Sequence, residues 1–121
     1  LVKATIVADA GRVIDADGLS AQLEGGFIQA ASWALYEQVQ WDRDGITSRD
    51  WDSYPVIRFD NIPEINVTIL DQPTETSLGA GEASPGPTIA AIGNAIHDAT
   101  GLRLRRMPFV PDEILQIAIS E

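Results

Sequence analysis

The residues of this sequence best suited to chemistry lie in a glycine-rich segment that holds one acidic side chain. Glu82 stands in LGAGEASPGP, residues 78–87, ahead of an apolar run with helical spacing. The positive end of a helix stabilises the ionised form of a carboxylate ahead of it, and an ionised carboxylate can accept a proton. Desolvation would favour the neutral form, and the sequence does not decide between the two effects. The same position suits a carboxylate that only stabilises the helix start, and taken alone it favours this structural interpretation.

Two glycines beside Glu82 favour a ligand-binding loop. Gly79 and Gly81 can adopt backbone conformations closed to other residues, and neither has a Cβ to hold a ligand away. The sequence GAGE has one glycine too few for a dinucleotide fingerprint and lacks the lysine of a phosphate-binding P-loop. The pattern therefore predicts a site loop without naming its ligand.

A second candidate is QLEGGFIQ, residues 22–29, inside a predicted helix. Gly25 and Gly26 each cost about 1 kcal/mol relative to alanine in a helix interior, so a close approach is expected there. The approaching group is either a ligand, with the Gln22 amide able to donate and accept hydrogen bonds, or a neighbouring backbone. Spacing alone favours tight packing, and Glu24 in the same segment is interpreted as a solvated or paired surface residue.

Composition excludes several classes of function. With 8 Lys+Arg against 18 Asp+Glu and a formal charge of −10, the composition argues against nucleic-acid binding as the main function, because that binding needs many clustered cations. The absence of cysteine excludes thiolate catalysis and cysteine-ligated zinc or iron–sulfur clusters within the chain, and the single histidine, His97, predicts no metal-ligand set. No apolar run reaches the length of a membrane span, and the compartment stays open.

The elements that must position these residues follow from periodicity. The length of 121 residues suits one domain, 1–121. Periodicity predicts three strands, one hairpin and three helices within it. In chain order they are a strand over 3–11, buried on both faces; a helix from an N-cap at Ser20 to Glu37; a hairpin turning at Asp44-Gly45; an alternating strand over 64–70; a helix from about Pro87 to a Gly101 cap; a strand over 102–107; and a helix from Pro111. This order predicts an α+β domain of two layers, a mixed sheet with helices packed on one face.

Two further groups have structural interpretations. The cations Arg103, Arg105 and Arg106 of RLRRM are expected to be solvated or paired within the chain, with a partner-facing edge as the alternative. The three tryptophans are too irregularly spaced for a stacking platform and are expected in the core or at an interface.

Three ordered blocks of the sequence resemble one known family. They are DAGRVIDADGLSAQLEGGFIQAASWALYEQV, SYPVIRFDNIPEINVTIL and LGAGEASPGPTIAAIGNAIHDATGLRLRRMPF, which together cover nearly the whole chain. Their order and spacing are similar to the C-terminal part of the molybdopterin-binding large subunit of molybdenum hydroxylases. This is the xanthine dehydrogenase and aldehyde oxidoreductase family, with the isoquinoline 1-oxidoreductase beta subunit as the nearest branch.

The resemblance implies roles for particular residues. Glu82 corresponds to the active-site base of the family's Gly-x-Gly-Glu loop, in which Gly79 and Gly81 contact the cofactor. Gln22 corresponds to the glutamine beside the molybdenum–pterin cofactor, with Gly25 and Gly26 admitting it. Two departures are present: Ala83-Ser84 follows the glutamate where the family often has proline, and VIDADG stands where an Asn-Pro pair is common.

The activity implied by the resemblance is oxidative hydroxylation of an N-heteroaromatic or aldehyde substrate, with water as the oxygen source. The implied partners are the remainder of the large subunit and a 2Fe–2S small subunit. Because the family's subunit is several times longer and this sequence starts at Leu1, we expect a fragment that binds no cofactor and is inactive in isolation. The alternative is a non-catalytic interaction or scaffold domain that keeps the fold.

Overall fold

A computed structural model describes residues 1–120 and shows helices combined with two small sheets, as the α+β prediction requires. The strands are β1, Lys3–Asp9; β2, Trp41–Asp42; β3, Gly45–Ile46; and β4, Glu64–Leu70. The helices are α1, Ala16–Leu35; α2, Pro85–Thr100; and α3, Pro111–Ser120, with one 3₁₀ turn at Phe59–Asn61. The strands form a parallel pair, β1 with β4, and a separate antiparallel pair, β2 with β3.

The parallel pair runs in register from Lys3 opposite Glu64 to Asp9 opposite Leu70. Along both strands half-buried residues alternate with exposed ones, as the period of two in a strand requires. Side chains such as Ile6 and Ile65 pack against the core, and their neighbours in sequence point away. The alternation predicted for β4 is confirmed, whereas the expectation that β1 is buried on both faces is wrong because helices cover only one face.

The long helix α1 begins earlier than the sequence indicated. Its N-cap is Asp15, whose carboxylate accepts a hydrogen bond of 3.0 Å from the Gly18 N–H, so the expected N-cap at Ser20 is wrong. Apolar residues recur along α1 at helical spacing, and five of them are buried: Leu23, Phe27, Ala30, Ala31 and Ala34. Phe27, Ala31 and Ala34 form the core together with Ile92 of α2 and Phe109. The core thus lies between the two long helices and the inner face of β1 and β4.

The segment after α2 is extended but is not a strand. Gly101 ends α2 in the left-handed conformation with φ 78°, as the sequence predicted. Beyond it Leu102 and Leu104 turn inward while Arg103 and Arg105 are exposed, which is the alternation that predicted a strand. No ladder forms among the described residues because no other strand lies beside this segment. The strand expected over 102–107 is therefore wrong.

The tryptophans are not core residues. Trp41 and Trp51 are both 74% exposed, and Trp33 is 38% exposed. The sequence placed the tryptophans in the core or at an interface, and the core placement is wrong. Within residues 1–120, none of the helices combines the length and apolarity that a bilayer crossing requires.

Candidate functional site

The loop that carries Glu82 is held at its beginning by the turn after β1. The Leu78 N–H donates to the Ala10 carbonyl at 2.9 Å, and the Gln72 N–H donates to the Gly11 carbonyl at 3.2 Å. Gly11 has φ 68°, and a Cβ there would overlap the Thr76 carbonyl, so only glycine permits this approach. The first half of a long turn-rich segment is therefore attached to the body of the protein.

The end of the same loop is held by Ser84, which is 6% exposed. Its hydroxyl donates a hydrogen bond of 3.0 Å to the Leu23 carbonyl of α1 rather than capping its own helix. Its carbonyl accepts from the Thr88 N–H at 3.0 Å in the first turn of α2. Ser84 thus joins the start of α2 to the middle of α1, and it fixes the chain two residues after Glu82.

Gly26 makes this contact possible. A Cβ on Gly26 would overlap the Ser84 hydroxyl and would lie 3.4 Å from Pro85 Cδ. A close approach predicted for the glycine pair is found at Gly26, where the Ser84 side chain makes a packing contact. Sequence reasoning treated Ser84 only as a departure from proline and missed its part in holding the loop.

The remaining predicted site residues are exposed around this contact. Gln22 and Gly25 lie on the turn of α1 that contains Leu23, and Gly79, Gly81 and Glu82 lie on the loop that ends at Ser84. No atom beyond the local backbone lies within 4 Å of a Cβ built on Gly25, Gly79 or Gly81. The Ser84–Leu23 bond therefore brings together the two segments that the sequence singled out, with open space beside three of their glycines.

Other polar clusters lie away from this position. The Tyr54 hydroxyl donates to Glu37 at 2.9 Å, and this hydrogen bond raises the pKa of Tyr54. Glu37 follows the C-terminal end of α1, about 20 Å along the helix axis from Gln22 at 1.5 Å per residue. His97 is half-buried rather than fully exposed, and its Nδ1 lies 2.9 Å from the Gly101 carbonyl oxygen at the end of α2. These contacts stabilise the fold and do not extend the candidate site.

The basic cluster is solvated and paired within the chain, as predicted. Arg103 donates to the Asn94 side chain at 3.0 Å, and Arg106 lies 4.0 Å from Glu113. This leaves the candidate site without a cation from that segment.

The exposed polar groups at this position suit hydrogen bonding to a large ligand. Residues 1–120 contain no cluster of three or more histidine, cysteine, aspartate or glutamate side chains able to hold a metal ion. They do offer an exposed amide at Gln22, an exposed carboxylate at Glu82 and unobstructed glycine backbone. Such groups fit one side of a large polar cofactor, with hydrogen bonds to its edge and close backbone approach.

Comparisons with known proteins show the family of this chain. Residues 1–63 match the molybdopterin cofactor-binding domain. The chain is 36% identical over 114 residues to a nicotinate dehydrogenase component of Pseudomonas putida, covering 94% of this chain and 10% of that protein. It is 36% identical over 105 residues to the isoquinoline 1-oxidoreductase beta subunit of Brevundimonas diminuta, covering 85% of this chain and 13% of that protein.

The fold is shared with a solved structure. The crystal structure of quinoline 2-oxidoreductase from Pseudomonas putida 86 superposes with a TM-score of 0.86 at 23% identity, covering 97% of this chain and 16% of that chain. The chain thus spans between 10% and 16% of the length of these three proteins.

Proposed function

Since this chain belongs to the molybdopterin cofactor-binding domain family, we propose that it forms one side of the catalytic centre of a molybdenum hydroxylase large subunit and supplies Glu82 as the base. The observation that carries the proposal is the hydrogen bond from Ser84 to Leu23, which holds the Glu82 loop against the turn of α1 that contains Gln22 and Gly25. A purely structural carboxylate would not need a loop fastened at both ends beside open glycine backbone.

The proposed roles follow from exposure and chemistry. Glu82 accepts a proton at its carboxylate, because it is exposed on a fixed loop and none of the described cations forms an ion pair with it. Gln22 donates and accepts hydrogen bonds at the polar edge of the cofactor. Gly25, Gly79 and Gly81 let the cofactor approach the backbone, and Gly26 contributes by leaving room for Ser84. When bound, the molybdenum–pterin group supplies the redox chemistry of oxidative hydroxylation.

The proposed substrate is a small N-heteroaromatic compound or an aldehyde, and the proposed partners are the rest of the large subunit and a 2Fe–2S small subunit. Nicotinate and isoquinoline, which are named in the two relatives above, are N-heteroaromatic compounds. The iron–sulfur cluster must lie in another part of the assembly, because this chain has no cysteine.

The test of the base is Glu82→Gln in the assembled enzyme. The amide keeps the size of the side chain but cannot act as a base, so kcat per bound molybdenum is expected to fall at least ~100-fold. Glu75→Gln is the matched control, since Glu75 is an exposed acid on the same loop and the change removes the same charge. If Glu82→Gln turns over like the control, Glu82 is not the base, and the alternative of a non-catalytic scaffold domain is favoured.

The cofactor contact is tested separately with Gly25→Ala. A methyl group there meets no described atom of the chain, so any loss of molybdenum and pterin from the assembled enzyme reports on a bound group that approaches Gly25. Unchanged cofactor content would contradict the role proposed for this glycine. The isolated 121-residue chain is expected to retain no molybdenum, and metal retention by it would contradict the proposal that its site is incomplete.

A further inference from the structure

One edge of the parallel strand pair is open, and its open backbone groups can be identified from the register. The Glu64 N–H donates to the Val2 carbonyl at 3.1 Å. In a parallel ladder alternate residues of a strand bond to the same neighbour, so the backbone groups of Ala4 and Ile6 point toward β4. The N–H and C=O groups of Lys3, Thr5 and Val7 therefore point to the other edge. Within residues 1–120, β4 is the only strand that pairs with β1.

A groove of about 610 Å³ runs along this open edge. Every residue of β1 from Lys3 to Asp9 lines it, including residues whose side chains face opposite sides of the sheet. A groove lined by consecutive strand residues must follow the edge of the strand and not one face. Its far wall is α2, and its apolar floor includes Leu23 and Ile92.

The sequence of β1 does not protect this edge. Natural edge strands avoid unwanted pairing by placing lysine, proline or a bulge in the strand. In β1 the charged residues are at the two ends, Lys3 and Asp9, and the centre reads ATIVA over residues 4–8. An uncharged, regular edge beside an apolar groove is typical of a strand that another strand covers.

We propose that the groove binds an extended segment from the rest of the large subunit, which adds to β1 as a third strand. Its backbone would pair with the free groups of Lys3, Thr5 and Val7, and its alternate apolar side chains would face the floor formed by α1 and α2. The inference rests on the proposal that the chain works within a longer subunit. The same fold makes up 16% of a longer solved chain, and a covalently linked segment reaches a higher effective concentration than a free partner.

The test is hydrogen exchange with residue-level fragmentation on the full-length assembled subunit. The Ile6 amide is the internal control, because it bonds to β4 whether or not a further strand is present. The Thr5 and Val7 amides are expected to exchange at least ~100-fold more slowly than in an unstructured peptide, comparably to Ile6. Free exchange at Thr5 and Val7 beside a protected Ile6 would overturn the proposal.

A photo-cross-linking residue at Val7 identifies what covers the edge. Val7 is 61% exposed, so the substitution does not disturb the core. The expected product joins Val7 to a segment of the same subunit outside these 121 residues. A cross-link to a second copy, a cross-link to a different protein or the absence of any cross-link would overturn the proposal. The kinetics of Glu82→Gln are measured independently, so failure of strand addition is distinguishable from failure of the proposed base.

Discussion

The contact between Gly26 and Ser84 predicts that two adjacent glycines in one helix respond in opposite ways to the same substitution. In Gly25→Ala the new methyl group meets no atom of the described chain. Alanine is better than glycine in a helix interior by about 1 kcal/mol, so this variant is expected to be more stable by about that amount. It is the matched control for Gly26→Ala, which has the same intrinsic gain.

In Gly26→Ala the methyl group takes the space of the Ser84 hydroxyl. The hydroxyl must move and lose its hydrogen bond to Leu23, a loss of about 1 kcal/mol, and overpacking of a dry contact adds ~1–3 kcal/mol. After the gain in helix propensity, Gly26→Ala is expected to lower the free energy of unfolding by ~1–3 kcal/mol. The two variants should therefore differ by about 3 kcal/mol in urea unfolding.

A double variant shows whether the hydroxyl is the cause. Removing it with Ser84→Ala leaves a Cβ at 3.7 Å from the position of the new methyl group, which is ordinary van der Waals distance. In that background Gly26→Ala should show only its helix-propensity gain of about 1 kcal/mol, which gives a coupling energy of ~3 kcal/mol between the two positions. If Gly25→Ala and Gly26→Ala change the unfolding free energy equally, the argument for a close contact at Gly26 is wrong.

Three other predictions concern a buried hydroxyl, a core aromatic side chain and the pKa of an exposed acid. Ser32→Ala removes the buried hydroxyl that accepts the Ile57 N–H at 2.9 Å, and should lower the unfolding free energy in urea by ~1–3 kcal/mol; a change below about 0.5 kcal/mol would contradict it. Phe109→Ala creates a cavity in the core beside Gly93 and should lower the free energy of unfolding by ~3–5 kcal/mol. A loss of only about 1 kcal/mol would mean that the surrounding core residues move in to fill the cavity. Hydrogen bonds from Asn66 and then Lys3 lower the pKa of Glu64 from its ordinary 4.5, so its contribution to stability is present above that value and is lost as pH falls through the lowered pKa. An NMR titration of Glu64 should show the lowered pKa, Asn66→Ala should raise it, and a midpoint unchanged by that substitution would refute the cause.

Local sequence patterns correctly predicted the elements whose formation depends mainly on their own residues. Ile65, Val67 and Ile69 alternate in β4 and are all half-buried, because one face of that strand meets the core. The glycine at position 101 predicted the end of α2, since a left-handed residue is needed there and glycine adopts it without a steric penalty.

The error at the start of α1 was local, whereas the errors at residues 102–107 and at Ser84 arose where the deciding information is tertiary. The first turn of α1 holds only Leu19 as a large apolar residue, and Leu19 is half-buried, so the sequence favours Ser20 as the cap, whereas the Asp15 carboxylate accepts the Gly18 N–H. Residues 102–107 alternate like a strand, but a ladder needs a neighbour that the sequence does not indicate. In the candidate site the glycines were found from the sequence, whereas the Ser84–Leu23 bond was not, because it joins residues far apart in the chain.

Because the Glu82 loop is anchored at both ends, the Glu82 carboxylate can move only a limited distance. Between the anchors at Leu78 and Ser84 the chain is short, and a backbone extends at most about 3.6 Å per residue. With both ends fixed, the loop cannot leave the start of α2, and six peptide steps of at most about 3.6 Å each set the limit of its movement. The carboxylate that we propose as the base therefore stays close to the start of α2.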